Sequence, residues 1–191
     1  MRDGNVVTLE ETFRAGDLHG ICGRFIAAFS RLGLKPGQID GDEGGGGKLI
    51  CDQLQAMGWR INRVNNGSPA KDNEHFANTA AETWFEGARQ IARREVVLPD
   101  DEDLRAQILD RKRVVNARGK LAVESKVDMR QRNVGSPDRA DAVFGAMTPL
   151  RRLESVNLGS RGAAGSFVEQ LRELSENDDV HDGQLAGAWF G

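Results

Sequence analysis

The sequence predicts an α/β or mixed α+β fold, in which helices pack on the faces of a β-sheet. Three features favour this class. Residues 59–64 alternate apolar and polar side chains as a half-buried strand does. From Leu18 onward, apolar residues recur at three- and four-residue steps, which is the spacing of an amphipathic helix. Strand and helix patterns of these two kinds then alternate along most of the chain.

Local signals define the elements in the first third of the chain. Asp17 is placed to cap the helix that begins at Leu18, and Gly33 ends it. Pro36-Gly37 then breaks the chain. The predicted elements in this part are a strand at residues 4–9, a helix at 18–32, a strand at 38–40, a helix at 48–57 and a strand at 59–64.

The rest of the chain begins with a polar loop over residues 65–78. From about Arg151 onward, Gly, Ser, Asn and Asp dominate, which predicts a domain at 1–150 followed by a flexible or partner-docking tail at 151–191. The predicted elements before the tail are a helix at 80–91, a helix from 100 to 108, a hairpin of residues 113–116 and 120–124, and a last helix after Pro137.

Composition excludes several classes of protein. No apolar run approaches the roughly 18 residues of a membrane-spanning helix, and the N-terminus lacks a signal-peptide core. Cys22 and Cys51 are too few for a disulfide framework or a zinc site, and Cys22 lies at a predicted core position. The formal net charge is −3, so nucleic acid would have to meet a local basic patch. A reducing cytoplasm fits this cysteine usage.

The glycine run at residues 44–47 does not form a P-loop. A P-loop requires glycine, four residues, Gly-Lys, and then Ser or Thr. Gly47-Lys48 is preceded five positions back by Asp42 and followed by Leu49, so both the first glycine and the hydroxyl are missing. We therefore predict a tight strand-to-helix turn that uses the positive φ open to glycine and presents Asp42.

Two pairs of carboxylates are the candidate reactive groups. Asp40 and Asp42 lie two apart at a predicted strand end, so they point the same way. Asp138 and Asp141 lie three apart at a predicted helix start and share a face. Separately, the pairs also fit structural roles, as solvated turn residues and as acids favoured by the helix dipole. Together they predict a metal site, because two divalent ions about 3.5–4 Å apart need several converging carboxylates.

Basic residues surround the acidic helix in sequence and predict salt-sensitive contacts to a phosphate backbone. A charge-rich surface hairpin is the structural alternative. The three histidines lack the spacing of zinc ligands, and no Ser/His/Asp or Cys/His nucleophile arrangement can be identified. The basic residues are Arg111, Lys112, Arg113, Arg118, Lys120, Lys126, Arg130 and Arg132.

An ordered series of short motifs extends from about Gly4 to Met147. The motifs are Asp42-Glu43-Gly44-Gly45-Gly46-Gly47, Asp52-Gln53-Leu54, Gly58-Trp59, Val64-Asn65-Asn66-Gly67, Phe76-Ala77-Asn78, Ala81-Glu82-Thr83-Trp84, Leu98-Pro99-Asp100-Asp101, Arg118-Gly119-Lys120-Leu121, Glu124-Ser125-Lys126 and Ser136-Pro137-Asp138-Arg139-Ala140-Asp141-Ala142. The series resembles the C-terminal nuclease domain of the large terminase subunit of tailed bacteriophages, and the order of the motifs makes the resemblance specific.

The resemblance implies an RNase H-like fold, with a central mixed sheet flanked by helices. It also implies cleavage of concatemeric phage DNA during packaging, by in-line hydrolysis with two Mg²⁺ or Mn²⁺ ions. Asp42 and Asp138 fall on metal-binding positions of the family, Asp141 is a supporting acid, and Asp40 is a less favoured metal ligand. The expected contacts to double-stranded DNA are Lys126, Arg139, Arg118 and Lys120.

The chain also departs from the family pattern. The first metal-binding Asp of the family lies on a strand ahead of the one matched by residues 4–9, so this strand and its acid are expected to be missing. Asp3 belongs to the turn instead, and the packaging ATPase with its P-loop is absent from the sequence. Because an unpaired sheet exposes backbone groups, we expect weak or no cleavage unless a second chain or a dimer supplies the strand.

The alternative is a catalytically silent binding or assembly module, as a prophage remnant or one piece of a split gene. The end of the tail, with Trp189-Phe190, would then dock on a portal protein or a small terminase subunit. An RNase H-like resolvase would share the chemistry, but the terminase-like middle motifs favour the packaging family. The expected location is the cytoplasm of a bacterial host.

Overall fold

The computed structural model describes residues 1–13 and 16–147, and over this range strands and helices alternate as the sequence predicts. The predicted tail at 151–191 lies outside the described residues. The strands are β1 (Arg2–Asp3), β2 (Val6–Val7), β3 (Asp40–Asp42), β4 (Asn62–Val64), β5 (Arg113–Val115) and β6 (Leu121–Val123). The helices are α1 (Leu18–Arg31), α2 (Gly47–Ala56), α3 (Thr79–Ala92), α4 (Glu102–Asp110), α5 (Lys126–Gln131) and α6 (Asp138–Met147).

Side-chain caps begin four of the helices, α1, α3, α4 and α5. Asp17 accepts a hydrogen bond from the Gly20 amide at 2.7 Å, which confirms the cap predicted for α1. Asn78 and Asp101 cap α3 and α4 in the same way. Each such cap satisfies an amide that the helix leaves unpaired, and contributes about 1 kcal/mol.

The strands are short and form three two-stranded sheets within the described ranges. β3 and β4 are parallel, whereas β1–β2 and the predicted hairpin β5–β6 are antiparallel. The single central mixed sheet that the resemblance implies is therefore not observed, since strands of two or three residues offer few ladder hydrogen bonds. The strand predicted at residues 4–9 is shorter in the structure, where only Val6–Val7 form it. Gly4, with a φ of 58°, lies in the predicted turn, whereas Asp3, also predicted in that turn, lies in β1.

The main hydrophobic core lies where α3 packs on α6. The rings of Trp84 and Phe144 have centroids 4.4 Å apart, and both side chains are buried. Gly87 permits this approach, because a Cβ there would lie 2.1 Å from Phe144 Cδ1. The other buried members are Val7, Ala70, Phe76, Ala81, Phe85, Ala88, Val96, Leu104, Ile108, Ala140, Val143 and Met147.

A second, smaller group of buried side chains belongs to the segment from α1 to β4. α1 packs on α2, and α2 packs on β3. Its buried apolar residues are Cys22, Ile39, Cys51 and Leu54, and none of them belongs to the main core. The full burial of Cys22 confirms its predicted core position. At the rim, the Phe29 and Trp59 rings are 5.4 Å apart.

The helix α5 was not predicted from the sequence. Ser125 caps it by accepting the Asp128 amide at 3.1 Å, and Met129 is its one buried residue. A single buried position cannot produce a detectable helical periodicity, so α5 is visible only in the structure. In the ranges that the structure covers, no helix has the length and apolar character needed to cross a bilayer.

Candidate metal and nucleic-acid site

The start of α6 brings two of the predicted acids together. Asp138 and Asp141 both lie in the first turn of the helix, where the exposed amides and the helix dipole favour negative charge. Ser136 Oγ donates to Asp138 Oδ1 at 2.6 Å. The Asp138 side chain is 75% exposed and that of Asp141 is 21% exposed, so one carboxylate faces solvent and the other lies behind it.

A single ammonium group is shared by the two carboxylates. Lys126 Nζ lies 3.0 Å from Asp138 Oδ1 and 2.9 Å from Asp141 Oδ2. Lys126 is the first residue of α5, so the junction between β6 and α5 places it opposite α6. The structure thus defines a position, open to solvent on one side, where both acids meet one cation.

The other oxygen of Asp141 accepts two buried donors. Trp84 Nε1 donates to Asp141 Oδ1 at 2.8 Å, and Arg111 Nη1 donates to the same atom at 2.7 Å. Trp84 and Arg111 are only 1% and 6% exposed. The Arg111 guanidinium also stacks on the Trp84 ring at 4.5 Å and donates through Nε to the Glu124 carbonyl oxygen at 3.0 Å.

Sequence reasoning missed the roles of Trp84 and Arg111. The sequence offers Trp84 only as part of a motif of the predicted helix at 80–91. The prediction that Arg111 is a base available to a phosphate backbone is wrong, because Arg111 is buried. These residues lie 57 and 30 positions from Asp141, too far for any local pattern to show the contact. The one available signal was that a buried indole N–H normally needs an acceptor.

Glu124 fixes the neighbouring segment in place. Its buried carboxylate receives Arg132 Nε at 2.7 Å and Arg132 Nη2 at 2.6 Å, together with the Lys112 amide at 3.2 Å. The hydrogen bonds from Arg132 lower the pKa of Glu124. Arg132 therefore ties the end of α5 to β6, and its fork is engaged by protein rather than presented to phosphate.

The surroundings of Asp138 and Lys126 stabilise the charged form of each side chain. Partial burial acts to raise the pKa of Asp138, but hydrogen bonds from Ser136 and Lys126 outweigh it and hold the pKa below its usual value. For Lys126, burial acts to lower the pKa, yet its contacts with Asp141 and Asp138 raise it overall. At neutral pH the aspartate at 138 is an anion and the lysine is a cation.

The second acidic pair lies on β3. Asp42 is exposed, and its Oδ1 accepts the Gly44 amide at 2.8 Å. Asp40 has a buried Oδ1 that finds no hydrogen-bond partner in the described structure. Burial raises the pKa of Asp40, while a hydrogen bond with Asn62 acts in the opposite direction.

The glycine run forms the predicted turn. Gly45 adopts a φ of 53°, the left-handed region that glycine enters without strain. A Cβ at Gly47 would lie 2.0 Å from the Asp42 carbonyl oxygen, so the first turn of α2 can approach β3 only with glycine there. The run thus serves strand-to-helix geometry beside Asp42, as the sequence predicted.

The four residues predicted to contact DNA differ in whether their side chains already bind other groups of the protein. Arg139 binds Asp101 through two hydrogen bonds of 2.8 and 2.6 Å and lies 2.9 Å from Asp103, so it joins α6 to α4. Lys120 donates through Nζ to the Asn73 carbonyl oxygen. Arg118 is exposed at the turn of the β5–β6 hairpin, and Lys126 lies at the acidic pair.

The acidic side chains of the described residues offer few ligands to a divalent metal ion. Over the residues that the structure describes, no group of three or more His, Cys, Asp or Glu side chains is arranged to hold one. Of the four predicted acids, Asp138 and Asp141 are the two that share a cation, the Lys126 ammonium. Two carboxylates suffice for one oxygen-coordinated ion that keeps most of its water. The pair at the start of α6 would offer two carboxylates to a single Mg²⁺- or Mn²⁺-sized ion, whereas within the described residues no three of the four predicted acids form a ligand group for a two-ion centre.

The fold of this chain is similar to that of solved protein structures, although its sequence matches no known family. No family model matches the sequence, and no curated protein is significantly similar to it. Among solved structures, the nuclease domain of the large terminase subunit gp2 of bacterial virus Sf6 matches with a TM-score of 0.63 and 19% identity, over 77% of this chain and 79% of that one.

Two further structures come from the same viral domain. A lysine-to-alanine variant solved with manganese and beta-thujaplicinol has a TM-score of 0.66 and 18% identity, over 77% of this chain and 79% of that one. A second, with calcium, has a TM-score of 0.59 and 19% identity, with the same two coverages. The resemblance inferred from the motifs is thus confirmed in structure, and at this identity it establishes the fold.

Proposed function

We propose that this chain is a terminase-type nuclease domain that hydrolyses phosphodiester bonds of duplex DNA with the help of a divalent metal ion. The observation that carries the proposal is the shared cation position between Asp138 and Asp141 at the start of α6. The fold supports it, because chains of this fold include a viral nuclease domain solved with manganese or calcium.

The chemistry follows from the charges at this position. When bound, the ion would supply a polarised phosphoryl oxygen and a water of lowered pKa. Asp138 would hold it from the solvent side and Asp141 from the protein side. The Lys126 ammonium competes for the same oxygens, and once displaced from them it would be available to pair with a phosphate.

The surface beside the site carries exposed positive charge. Arg130 lies four positions after Lys126 on α5 and therefore shares its helix face. Lys112, Arg113 and Arg118 are exposed on or beside the β5–β6 hairpin. Such residues fit sequence-independent contact with a phosphate backbone. Concatemeric phage DNA as the substrate, and a metal-binding role for Asp42 and Asp40, are further parts of the proposal, and both rest on the resemblance.

A plasmid-nicking assay with Mn²⁺ tests the proposal. Because the family's first acid is expected to be missing, we expect the wild type alone to convert supercoiled DNA to the open circle only slowly. Asp138→Asn should reduce this rate at least about 100-fold, the usual cost of removing one transition-state charge contact. Asp42→Asn tests the β3 pair in parallel. Asp100→Asn is the matched control, since that side chain is 99% exposed and should keep full activity.

A catalytically silent DNA-binding module is the second candidate. It is favoured by the lack of a three-residue metal group among the described residues and by the lysine that bridges the two acids. A well-folded wild type that does not nick DNA with Mn²⁺, yet binds a labelled duplex in a salt-dependent manner, would support this candidate and refute the nuclease.

A further inference from the structure

The two oxygens of the Asp141 carboxylate have different partners. Both buried donors, the Trp84 indole and one Arg111 nitrogen, contact Oδ1, while Oδ2 lies towards Lys126. An arginine paired with an aspartate for stability alone commonly forms a two-pronged fork over both oxygens. Here one oxygen is occupied by the protein interior, and the other is directed to the position that Asp138 shares.

The two donors are themselves fixed. Trp84 packs against Phe144 on α6 and is nearly fully buried. The Arg111 guanidinium is stacked on the indole, and its Nε is bound to the Glu124 carbonyl oxygen. Neither donor can follow a rotation of the Asp141 carboxylate, so a rotation would leave two buried polar groups unpaired, which is costly.

We propose that Trp84 and Arg111 are positioning residues that act through Asp141: they hold its Oδ1 and so keep its Oδ2 directed at the position shared with Asp138, where a divalent ion would bind. The inference rests on the proposed function and names residues outside the acidic motif. Groups that orient a metal ligand from behind typically change metal affinity about 10–100-fold when they are altered.

Mn²⁺ affinity of the full chain, measured from the electron paramagnetic resonance signal of the free ion, tests the inference without relying on cleavage. Trp84→Phe keeps an aromatic ring against Phe144 and Arg111 but removes the N–H. We expect its Mn²⁺ affinity to fall about tenfold or more. Phe85→Leu is the control: it alters the adjacent buried ring of α3, which makes no hydrogen bond to Asp141, and it should bind Mn²⁺ like the wild type.

The outcomes separate the inference from the proposed function. Unchanged affinity in a folded Trp84→Phe, together with a loss in Asp138→Asn, would overturn the positioning role and leave the nuclease site intact. An equal loss in Phe85→Leu would overturn it as well, since packing would then be the cause. Wild-type binding that is absent, or insensitive to Asp138→Asn, would refute the metal site itself.

A second variant keeps the test decisive if Trp84→Phe does not fold. Arg111→Lys retains the charge but cannot contact Asp141 and the Glu124 carbonyl oxygen with the same planar group. We expect the same direction of change in Mn²⁺ affinity, and wild-type affinity in a folded Arg111→Lys would contradict the inference.

Discussion

The carboxylates of Asp40 and Asp138 show how the fold changes two acids in opposite directions. Burial raises the pKa of Asp40, and its Oδ1 finds no partner among the described residues. At Asp138, burial also acts to raise the pKa, but Ser136 and Lys126 reverse its effect. At neutral pH the fold therefore stabilises the ionised form of Asp138 and disfavours that of Asp40.

Asp40→Asn should stabilise the protein at pH 7. Because the folded pKa of Asp40 is raised, its contribution to stability is fully present below the unfolded value of about 3.9 and is lost as the pH rises through the folded pKa. Thermal unfolding of the variant should occur above that of the wild type at pH 7, by about 2–4 °C for each kcal/mol recovered. The difference should shrink as the pH approaches 4.

Asp100→Asn is the control for this measurement, because its exposed carboxylate should leave the melting temperature unchanged at either pH. A melting temperature of Asp40→Asn below the wild-type value at pH 7 would contradict the prediction. That result would mean that the ionised Asp40 is held by a stabilising contact.

At the scale of elements, the packing of α3 against α6 forms part of the main hydrophobic core and also positions the acidic pair of α6. Trp84 packs against the Phe144 ring and donates a hydrogen bond to Asp141, so one side chain of α3 contacts α6 both in the core and at the acidic pair. Gly87 lies three positions further along α3 and leaves room for the Phe144 ring. The acidic pair is therefore positioned by helix packing rather than by its own loop.

Gly87→Ala should destabilise the protein, since the added methyl group would overlap Phe144 in a closed core. We expect a loss of about 1–3 kcal/mol in the free energy of unfolding, measured in urea. Gly145→Ala in α6 is the matched control, because a Cβ there meets nothing within 4 Å. It should gain up to about 1 kcal/mol from helix propensity, and equal gains in both variants would contradict the packing described.

Elements with local signals could be predicted from the sequence, and elements without them could not. The Asp17 cap of α1 and the β5–β6 hairpin each depend on neighbouring residues, and both are confirmed. By contrast, α5 has only one buried side chain, so no apolar periodicity in the sequence predicts it. In the site, the Asp138 and Asp141 pair follows from helix spacing, whereas the contact of Trp84 with Asp141 depends on tertiary packing across 57 positions.

At the scale of the whole molecule, the buried side chains form two separate groups. The main core joins β2 with α3, α4 and α6, and the smaller one lies between α1, α2 and β3. Ion pairs of Glu10 with Arg31 and of Glu11 with Arg24 connect the segment after β2 to α1. Exposed pairs of this kind contribute little, so the two groups should unfold with some independence.

Hydrogen exchange of two core variants tests this independence. Leu54→Ala should cost about 2–5 kcal/mol and Phe144→Ala about 3–5 kcal/mol within their own groups. We expect Leu54→Ala to increase exchange in α1, α2 and β3 while α3 and α6 stay protected, and Phe144→Ala to do the reverse. Equal loss of protection throughout the chain in both variants would show a single cooperative unit.

The most direct measurement of the central claim is cleavage of the polypeptide by bound iron. Fe²⁺ substituted for Mg²⁺, with ascorbate and peroxide, generates radicals that cut the backbone next to the ion, and mass spectrometry locates the cuts. We expect cuts near residues 125–126 and 136–141 that disappear in Asp138→Asn and persist in Asp100→Asn. Further cuts at residues 40–42 would indicate that β3 faces the same ion. Cuts confined to other segments, or unchanged in Asp138→Asn, would contradict a metal site at the start of α6.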